Sequence, residues 1–438
     1  MAEQLISVAI DDTDSQYGGC TTHLAGLVLS ELRGKVRLAD YPLLVRLNPN
    51  IPWRTRGNAA TVLRLLYDGD PQDLLELAWS MALEYTQPRP PLPGKSPGVV
   101  VYVGRPWELE RLRWLYRKAL SDVVTFDVAT KALEGGRALW RGGRGVIGAA
   151  SSLAALAPGD PYTFELTFYR RPEAWGTRRC VSSPKVIELE GLSHGTLNNV
   201  ELDKELTSAA PGGPDPVLAG FRGTDAEELW KFEEALCERP HFAVLYRSNQ
   251  HTGVHASPLR PLVYRSVSMK VAVSSRPLKL PGGHVIVEAR AADGNVYDIA
   301  FYEDSGPLAR AAGLLRPGDV IEVVGGVRPY SPRGRPTVSA ELMSVLSLAD
   351  EFVEVAPRCP RCGSRMESAG KGKGYRCPRC GFSLPEGGRL RLPLTRELMP
   401  GHYYYRGGRA RHLTPVGASL PVLRELQSVK VDNVMRTY

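Results

Sequence analysis

Asp11-Asp12-Thr13-Asp14-Ser15, followed closely by Gly18-Gly19-Cys20-Thr21-Thr22, places three carboxylates, two glycines and a cluster of hydroxyls directly after the apolar run Leu5–Ile10. Carboxylates of this density hold Mg²⁺. Backbone N–H groups freed by glycine, together with a helix N-terminus, receive phosphate oxygens. Asp12 and Asp14 are the natural pair for one Mg²⁺, because neighbours along an extended chain alternate faces. Asp11 then orients a loop or acts as a base. Ser15, Thr21 and Thr22 offer hydroxyls as metal or phosphate ligands, or as phosphoryl acceptors. A solvated turn that caps the next helix needs one such residue, and this segment supplies many.

The elements that position these groups read as a strand, Leu5–Ile10, and an amphipathic helix, Thr22–Arg33. The apolar run Leu43–Leu47 and Asn48-Pro49-Asn50 follow, then a strand over Ala59–Tyr67, a helix over Asp70–Tyr85 and a strand over Val99–Val103. This alternation predicts an α/β domain over 1–127 with the acidic motif at a strand end. Residues 128–256 read as a second unit of strands and helices, suited to a ferredoxin-like sandwich. Within it Arg222 and Arg247 each end an apolar strand, Asn249 follows in Arg247-Ser248-Asn249-Gln250, and either arginine could neutralise a phosphoryl group or sit on the surface beside a capping residue. Five strand-like runs over 257–350, with a short helix at Leu308–Leu315 before the fourth, predict an OB-fold barrel.

Cys359-x-x-Cys362-Gly and Cys377-x-x-Cys380-Gly, fourteen residues apart, give four thiolates for one structural Zn²⁺ over 351–385. A redox dithiol pair is the alternative reading. Residues 386–438 form a basic tail in which Tyr403-Tyr404-Tyr405-Arg406, Arg409 and Arg411-His412 could stack on bases and hold phosphates, or dock the tail onto the body. From residue 357 onward 16 Lys and Arg face 5 Asp and Glu, a balance of +11 in a chain of net charge +8, so the first 356 residues carry −3. Positive charge confined to one end points to a polyanion, nucleic acid first.

At 438 residues the chain has room for roughly two to four domains. No apolar run approaches a membrane span, the N-terminal residues lack a leader pattern, and the few cysteines speak for a reducing, cytoplasmic setting. There is no Walker A lysine motif, no kinase His-Arg-Asp loop and no dinucleotide glycine fingerprint in a suitable setting. ATP chemistry here needs another scaffold.

The acidic start with Gly-x-Cys-Thr-Thr, Arg144-Gly145-Val146-Ile147-Gly148, Pro214-Asp215-Pro216-Val217 with Arg222-Gly223, Arg247-Ser248-Asn249-Gln250 and the cysteine ribbon, in this order, resemble the archaeal isoleucine-tRNA 2-agmatinylcytidine synthetase family over nearly the whole chain. The resemblance implies a kinase-like N-terminal domain, a ferredoxin-like domain, an OB-fold and a zinc ribbon. It implies an ATP-dependent ligase that joins agmatine to carbon 2 of the wobble cytidine of the minor isoleucine tRNA, so that the anticodon reads AUA. The implied route phosphorylates the cytidine carbonyl oxygen, with autophosphorylation of a threonine that by position is Thr21. ATP, Mg²⁺ and Zn²⁺ are the implied cofactors. Asp11, Asp12, Asp14 and Thr21 form the catalytic set, and Ser15, Gly18, Gly19, Thr22, Arg222, Arg247 and Asn249 are placed near ATP or phosphate. One departure is Gly19, where relatives often carry a bulkier residue. An acidic partner is expected for the agmatine guanidinium, and Asp203, Asp215 and Asp225 are available. The rival reading is a non-catalytic RNA-binding adaptor whose N-terminal domain senses nucleotide. No motif speaks to oligomeric state.

Overall fold

The computed structural model describes residues 3–438 apart from 15–17, 55–56, 87–94, 202–203, 259, 330–333, 386–388 and 406–419. Ser15, Asp203, Arg406, Arg409, Arg411 and His412 therefore lie outside the described residues.

The strand Gln4–Asp11 is apolar on both faces because helices cover both. Ile6, Val8 and Ile10 pack beneath the helices Thr21–Glu31 and Pro71–Thr86. Ala9, on the other face, shares a core with Val62, Val100 and the helices Glu110–Ser121, Phe126–Leu133 and Gly145–Ser152. The strands lie in the order Leu43–Arg46, Ala59–Tyr67, Gln4–Asp11, Gly98–Val103, Ala138–Gly142, each antiparallel to its neighbour. The alternation predicts an α/β unit, yet the pairing is antiparallel. The helices Thr21–Glu31 and Pro71–Thr86 each return the chain two places away, and the slot between is filled by a strand of opposite direction, whereas Glu110–Ser121 and Phe126–Leu133 lead to the adjacent strand Ala138–Gly142.

In the second unit Thr163–Tyr169 lies between Val217–Gly223 and Phe242–Ser248, antiparallel to both. The next neighbour of Phe242–Ser248 is the Leu43–Arg46 strand of the first unit, paired in parallel through Arg247↔Leu43 and Ser248↔Leu44. The two units thus share one continuous sheet. The side chain of Asn249 extends this seam: it accepts from Arg46 N–H at 2.8 Å and donates to Arg46 C=O at 2.9 Å.

Five strands, Ser266–Val273, Val285–Ala291, Val296–Phe301, Val320–Arg328 and Thr337–Ser347, close into a barrel, since the first pairs with both the second and the fourth. The helix Pro307–Ala312 precedes the fourth strand and sends Leu308 and Ala312 into the barrel core. Asn-Pro-Asn clamps the barrel to the first unit: Asn48 donates to Tyr264 C=O and Asn50 to the Ser266 hydroxyl, each at 2.8 Å. A side chain at Gly326 would stand 1.9 Å from Asn50 Oδ1, so the glycine is required by this approach.

The strands Phe352–Val355 and Leu390–Pro393 pair as a stalk between barrel and ribbon. The described parts of the expected tail are built into the body. Gly401–Tyr404 adds to the last barrel strand, and Met435–Thr437 pairs with Phe242–Val244, with Val434 and Met435 buried in the core of the first unit. No helix among the described residues is long and apolar enough to cross a membrane.

Candidate active site and metal centre

The acidic motif sits where the central strand meets the N-terminal turn of the Gly145–Ser152 helix. A Cβ at Gly148 would stand 1.8 Å from Asp11 Oδ2, and one at Gly145 would stand 2.5 Å from Asp11 C=O. The two glycines of Arg-Gly-Val-Ile-Gly let the helix rest on this strand end. Asp12 turns the chain with φ of 57°. Its carboxylate accepts from Arg144 Nε at 2.9 Å and pairs with Nη2 at 2.8 Å.

Burial, then repulsion from Asp12, pushes the Asp11 carboxyl well above the ordinary carboxylate range. Burial also raises Asp12 to about 7, against the opposing pull of Arg144. A cation bound beside them would stabilise the ionised forms and draw both values back down. Among the described residues, the group of three or more ligand atoms gathered within 4.8 Å is the cysteine cluster, so the three aspartates do not converge that closely.

Across the turn, the buried Thr13 hydroxyl donates to the Thr21 hydroxyl at 3.1 Å. Gly19 adopts φ of +81°, and a Cβ there would stand 3.0 Å from Thr13 C=O. The start of the Thr21–Glu31 helix is pinned from two sides. Cys20 N–H donates to the Tyr85 hydroxyl at 3.0 Å, and the Tyr246 hydroxyl donates to Thr22 C=O at 2.7 Å.

Tyr246 comes from the second unit, whose strands form the opposite wall. Glu165 lies in mid-strand with Arg46 and Arg222 each at 3.6 Å, and it accepts a hydrogen bond from Gln250. Burial raises the Glu165 carboxyl, but Arg46, Arg222 and Gln250 outweigh it and hold the group below the usual value. Nε of Arg46 has no hydrogen-bond partner among the described residues, and Nε of Arg222 faces the Glu165 carboxylate at 3.6 Å, beyond hydrogen-bond reach. Between the walls lies a cleft of about 490 Å³, lined among others by Asp11, Asp12, Asp14, Thr21, Thr22, Arg46, Arg144, Glu165, Asp215 and Arg222.

The expected residues are thus only partly assembled. Asp11, Asp12, Asp14, Thr21, Thr22 and Arg222 line the cleft, while Gly18 and Gly19 shape the turn behind it. Arg247 and Asn249, expected at the phosphates, are not in the cleft's described lining. Arg247 pairs with buried Asp40, which also holds Arg64 at 2.9 Å, and Asn249 serves the seam through Arg46. The reason is register: Arg222 stands opposite Glu165 and shares its face, whereas Arg247 stands opposite Phe164 and points to the other. Of the acidic candidates for a guanidinium, Asp215 lines the cleft beside Arg179 at 3.3 Å, and Asp225 caps the Ala226–Trp230 helix. Sequence reading missed Arg46, Arg144 as the partner of Asp12, and Glu165. The signal for Glu165 was a carboxylate in the middle of an otherwise apolar strand.

Family models match three stretches: the TiaS TCKD domain at residues 7–139, the TiaS FLD domain at 143–255 and the TiaS C-terminal zinc ribbon domain at 356–398. The isoleucine-tRNA 2-agmatinylcytidine synthetase TiaS of Acidilobus saccharovorans is 72% identical over 440 residues, covering 100% of both chains. This chain belongs to the TiaS family. The TiaS of Staphylothermus marinus is 37% identical, with 94% of this chain and 93% of that one covered. A crystal structure of a TiaS complex with its isoleucine tRNA and ATP superposes with a TM-score of 0.82 at 31% identity, over 94% of this chain and 96% of that one. One of a TiaS complex with the same tRNA, AMPCPP and agmatine gives 0.78 at 29% identity, over 94% and 96%.

The TiaS ribbon carries its metal centre far from these carboxylates in sequence. Cys359 and Cys380 bring their sulfurs to 3.5 Å, as do Cys362 and Cys377. The two knuckles repeat one turn: Gly363 N–H donates to Cys359 C=O at 2.8 Å and Gly381 N–H to Cys377 C=O at 3.0 Å, with φ near +70° at both glycines. Four thiolates would fill the four positions that Zn²⁺ takes and leave none open, which suits a structural rather than a catalytic role.

Proposed function

We infer that this chain uses ATP to conjugate agmatine to the minor isoleucine tRNA. The observation that carries this is a cleft with carboxylates and a helix N-terminus on one wall and two arginines around Glu165 on the other, in a chain 72% identical from end to end to a synthetase of that name.

In our reading, Asp12 and Asp14 would hold Mg²⁺, which supplies charge neutralisation at the phosphates. Arg144 holds Asp12 in its strained turn. The backbone around Gly18–Thr22 and the helix behind it receive phosphate oxygens. Arg222 and Arg46 stabilise charge as the phosphoryl group reaches the carbonyl oxygen at carbon 2 of the wobble cytidine. That oxygen is a poor leaving group until phosphorylated; the agmatine amine then attacks carbon 2 and phosphate departs. Asp215 is the carboxylate we assign to the guanidinium, since Glu165 is already held by Arg46, Arg222 and Gln250. Thr21, oriented by Thr13, is the acceptor for autophosphorylation.

We assign the kinase-like role to 1–127, the ferredoxin-like one to 128–256, an OB-fold to 257–350, the ribbon to 351–385 and a basic segment to 386–438, with the last three gripping the tRNA in the cytoplasm. Incubation with ATP, Mg²⁺, agmatine and tRNA, followed by nucleoside mass analysis, tests the reading. A cytidine heavier by agmatine less water is expected. Tight binding with unmodified RNA would make the chain an adaptor, and transfer of α- rather than γ-labelled phosphate to the base would replace phosphorylation by adenylylation.

A further inference from the structure

Outside the cleft, two thiols face each other on the second unit. The segment entering the Ser183–Leu192 helix runs antiparallel to the chain leaving the Lys231–Ala235 turn. Val181 bridges Leu236, Ser182 N–H donates to Ala235 C=O at 2.8 Å, and Cys237 N–H donates to Cys180 C=O at 3.2 Å. This register sets Cys180 directly opposite Cys237. Residues so paired have Cα atoms about 5.5 Å apart, inside the window of roughly 4.4–6.8 Å that a disulfide spans. Both side chains are exposed. The ribbon's four cysteines form a separate group.

We propose that Cys180 and Cys237 are a redox pair that closes to a reversible disulfide, with a small-molecule disulfide as the oxidant. One cysteine thiolate attacks a sulfur of the oxidant and expels a small thiolate. The second cysteine attacks the resulting mixed disulfide and expels the other. Two electrons and two protons pass to the oxidant, which leaves as two thiols, and one S–S bond joins the chain to itself.

The bond would fasten a segment that touches both walls of the site. Arg179, beside Cys180, donates to Val217 C=O at 2.6 Å and to Asp215 C=O at 2.8 Å. Trp175 sets its ring edge-on to that of His23, 5.5 Å away; His23 lies two residues beyond Thr21. Glu238, beside Cys237, holds Arg170 at 2.7 and 2.9 Å. Closing the long loop from 180 to 237 also removes freedom from the unfolded chain, so oxidation should raise heat resistance.

The test uses the full-length protein with oxidised glutathione, followed by alkylation of remaining thiols and peptide mapping. Expected are a peptide pair joined through Cys180 and Cys237, a mass lower by two hydrogens, and a melting temperature higher by several degrees, all reversed by dithiothreitol. Cys180→Ser and Cys237→Ser should each abolish the link and the rise in melting temperature while retaining the zinc content and reduced-state melting temperature of the parent. The proposal is overturned if both thiols stay open to alkylation, if each ends as a separate glutathione adduct, if the link runs to a ribbon cysteine with zinc release, or if the rise persists in Cys180→Ser.

Discussion

Asp12 combines a left-handed backbone, an arginine partner and a carboxyl raised to about 7. A folded pKa above the ordinary 3.8 means that the folded protein holds this proton more tightly than the unfolded chain. Without a cation, ionising Asp12 therefore lowers stability as pH climbs from about 4 to about 7. Turnover that needs the carboxylate should run the other way and rise through about pH 7, and added Mg²⁺ should shift its midpoint down. Asp12→Asn is expected to cut ATP turnover by about 100-fold or more and to erase that rise, with tRNA affinity unchanged. A rate profile measured with and without tRNA decides the matter; parallel loss of tRNA binding would refute the division. Thr21→Val leaves the Thr13 hydroxyl without its acceptor and costs about 1 kcal/mol in a denaturant melt, and phosphate should no longer be incorporated into the protein.

At the scale of elements, the helix Gly145–Ser152 belongs in sequence to the second unit but rests on the central strand of the first. Gly148→Ala should force it off Asp11, costing roughly 1–3 kcal/mol through overpacking. The check is a lower melting temperature together with weaker ATP binding by calorimetry; an unchanged ATP affinity would show that this packing does not shape the site. Individual elements were largely legible in the sequence. Five strand-like runs with a helix before the fourth were readable; Val285–Ala291 and the first half of Val320–Arg328 alternate in burial, whereas Thr337–Ser347 is buried on both faces over most of its length. The acidic turn was legible because carboxylates and glycines leave few other conformations open. What stayed hidden was pairing. A parallel ladder between Leu43–Arg46 and Phe242–Ser248 joins residues about two hundred positions apart, and no local pattern encodes it. Arg222 and Arg247 look alike in sequence; one residue of strand parity sends the first to the cleft and the second to Asp40.

For the molecule as a whole, the net positive charge and the four-cysteine cluster lie in a different part of the chain from the carboxylate cleft. The stalk strands Phe352–Val355 and Leu390–Pro393 pair without help from the ribbon between them. Residues 357–389 can therefore be excised and the stalk rejoined by a hairpin turn, whereas deletion of everything beyond 357 would strip Val434 and Met435 from the core. The excised ribbon carries 8 Lys and Arg against 2 Asp and Glu. Its removal should weaken tRNA binding and flatten the dependence of log affinity on log salt by about 0.9 for each phosphate that the ribbon had neutralised. An identical slope in filter-binding titrations would mean that these cations do not meet the RNA. The segregation itself could be read from sequence. The integration of the C-terminal segment could not, because Val431–Val434 and Met435–Thr437 are too short to carry a periodic signal.

That closing strand has a consequence for how the protein is made. The edge of Phe242–Ser248 is shared between Leu43–Leu44 at one end and Met435–Thr437 at the other. As the ribosome emits the chain, the first part of that edge can be covered early, but the Phe242–Val244 part waits until barrel, stalk and ribbon have emerged. A nascent chain interrupted anywhere between keeps an apolar, unpaired edge beside its catalytic half. Chaperones and proteases would meet such fragments as unfinished sheets, so the last strand to be made is the one that completes the fold.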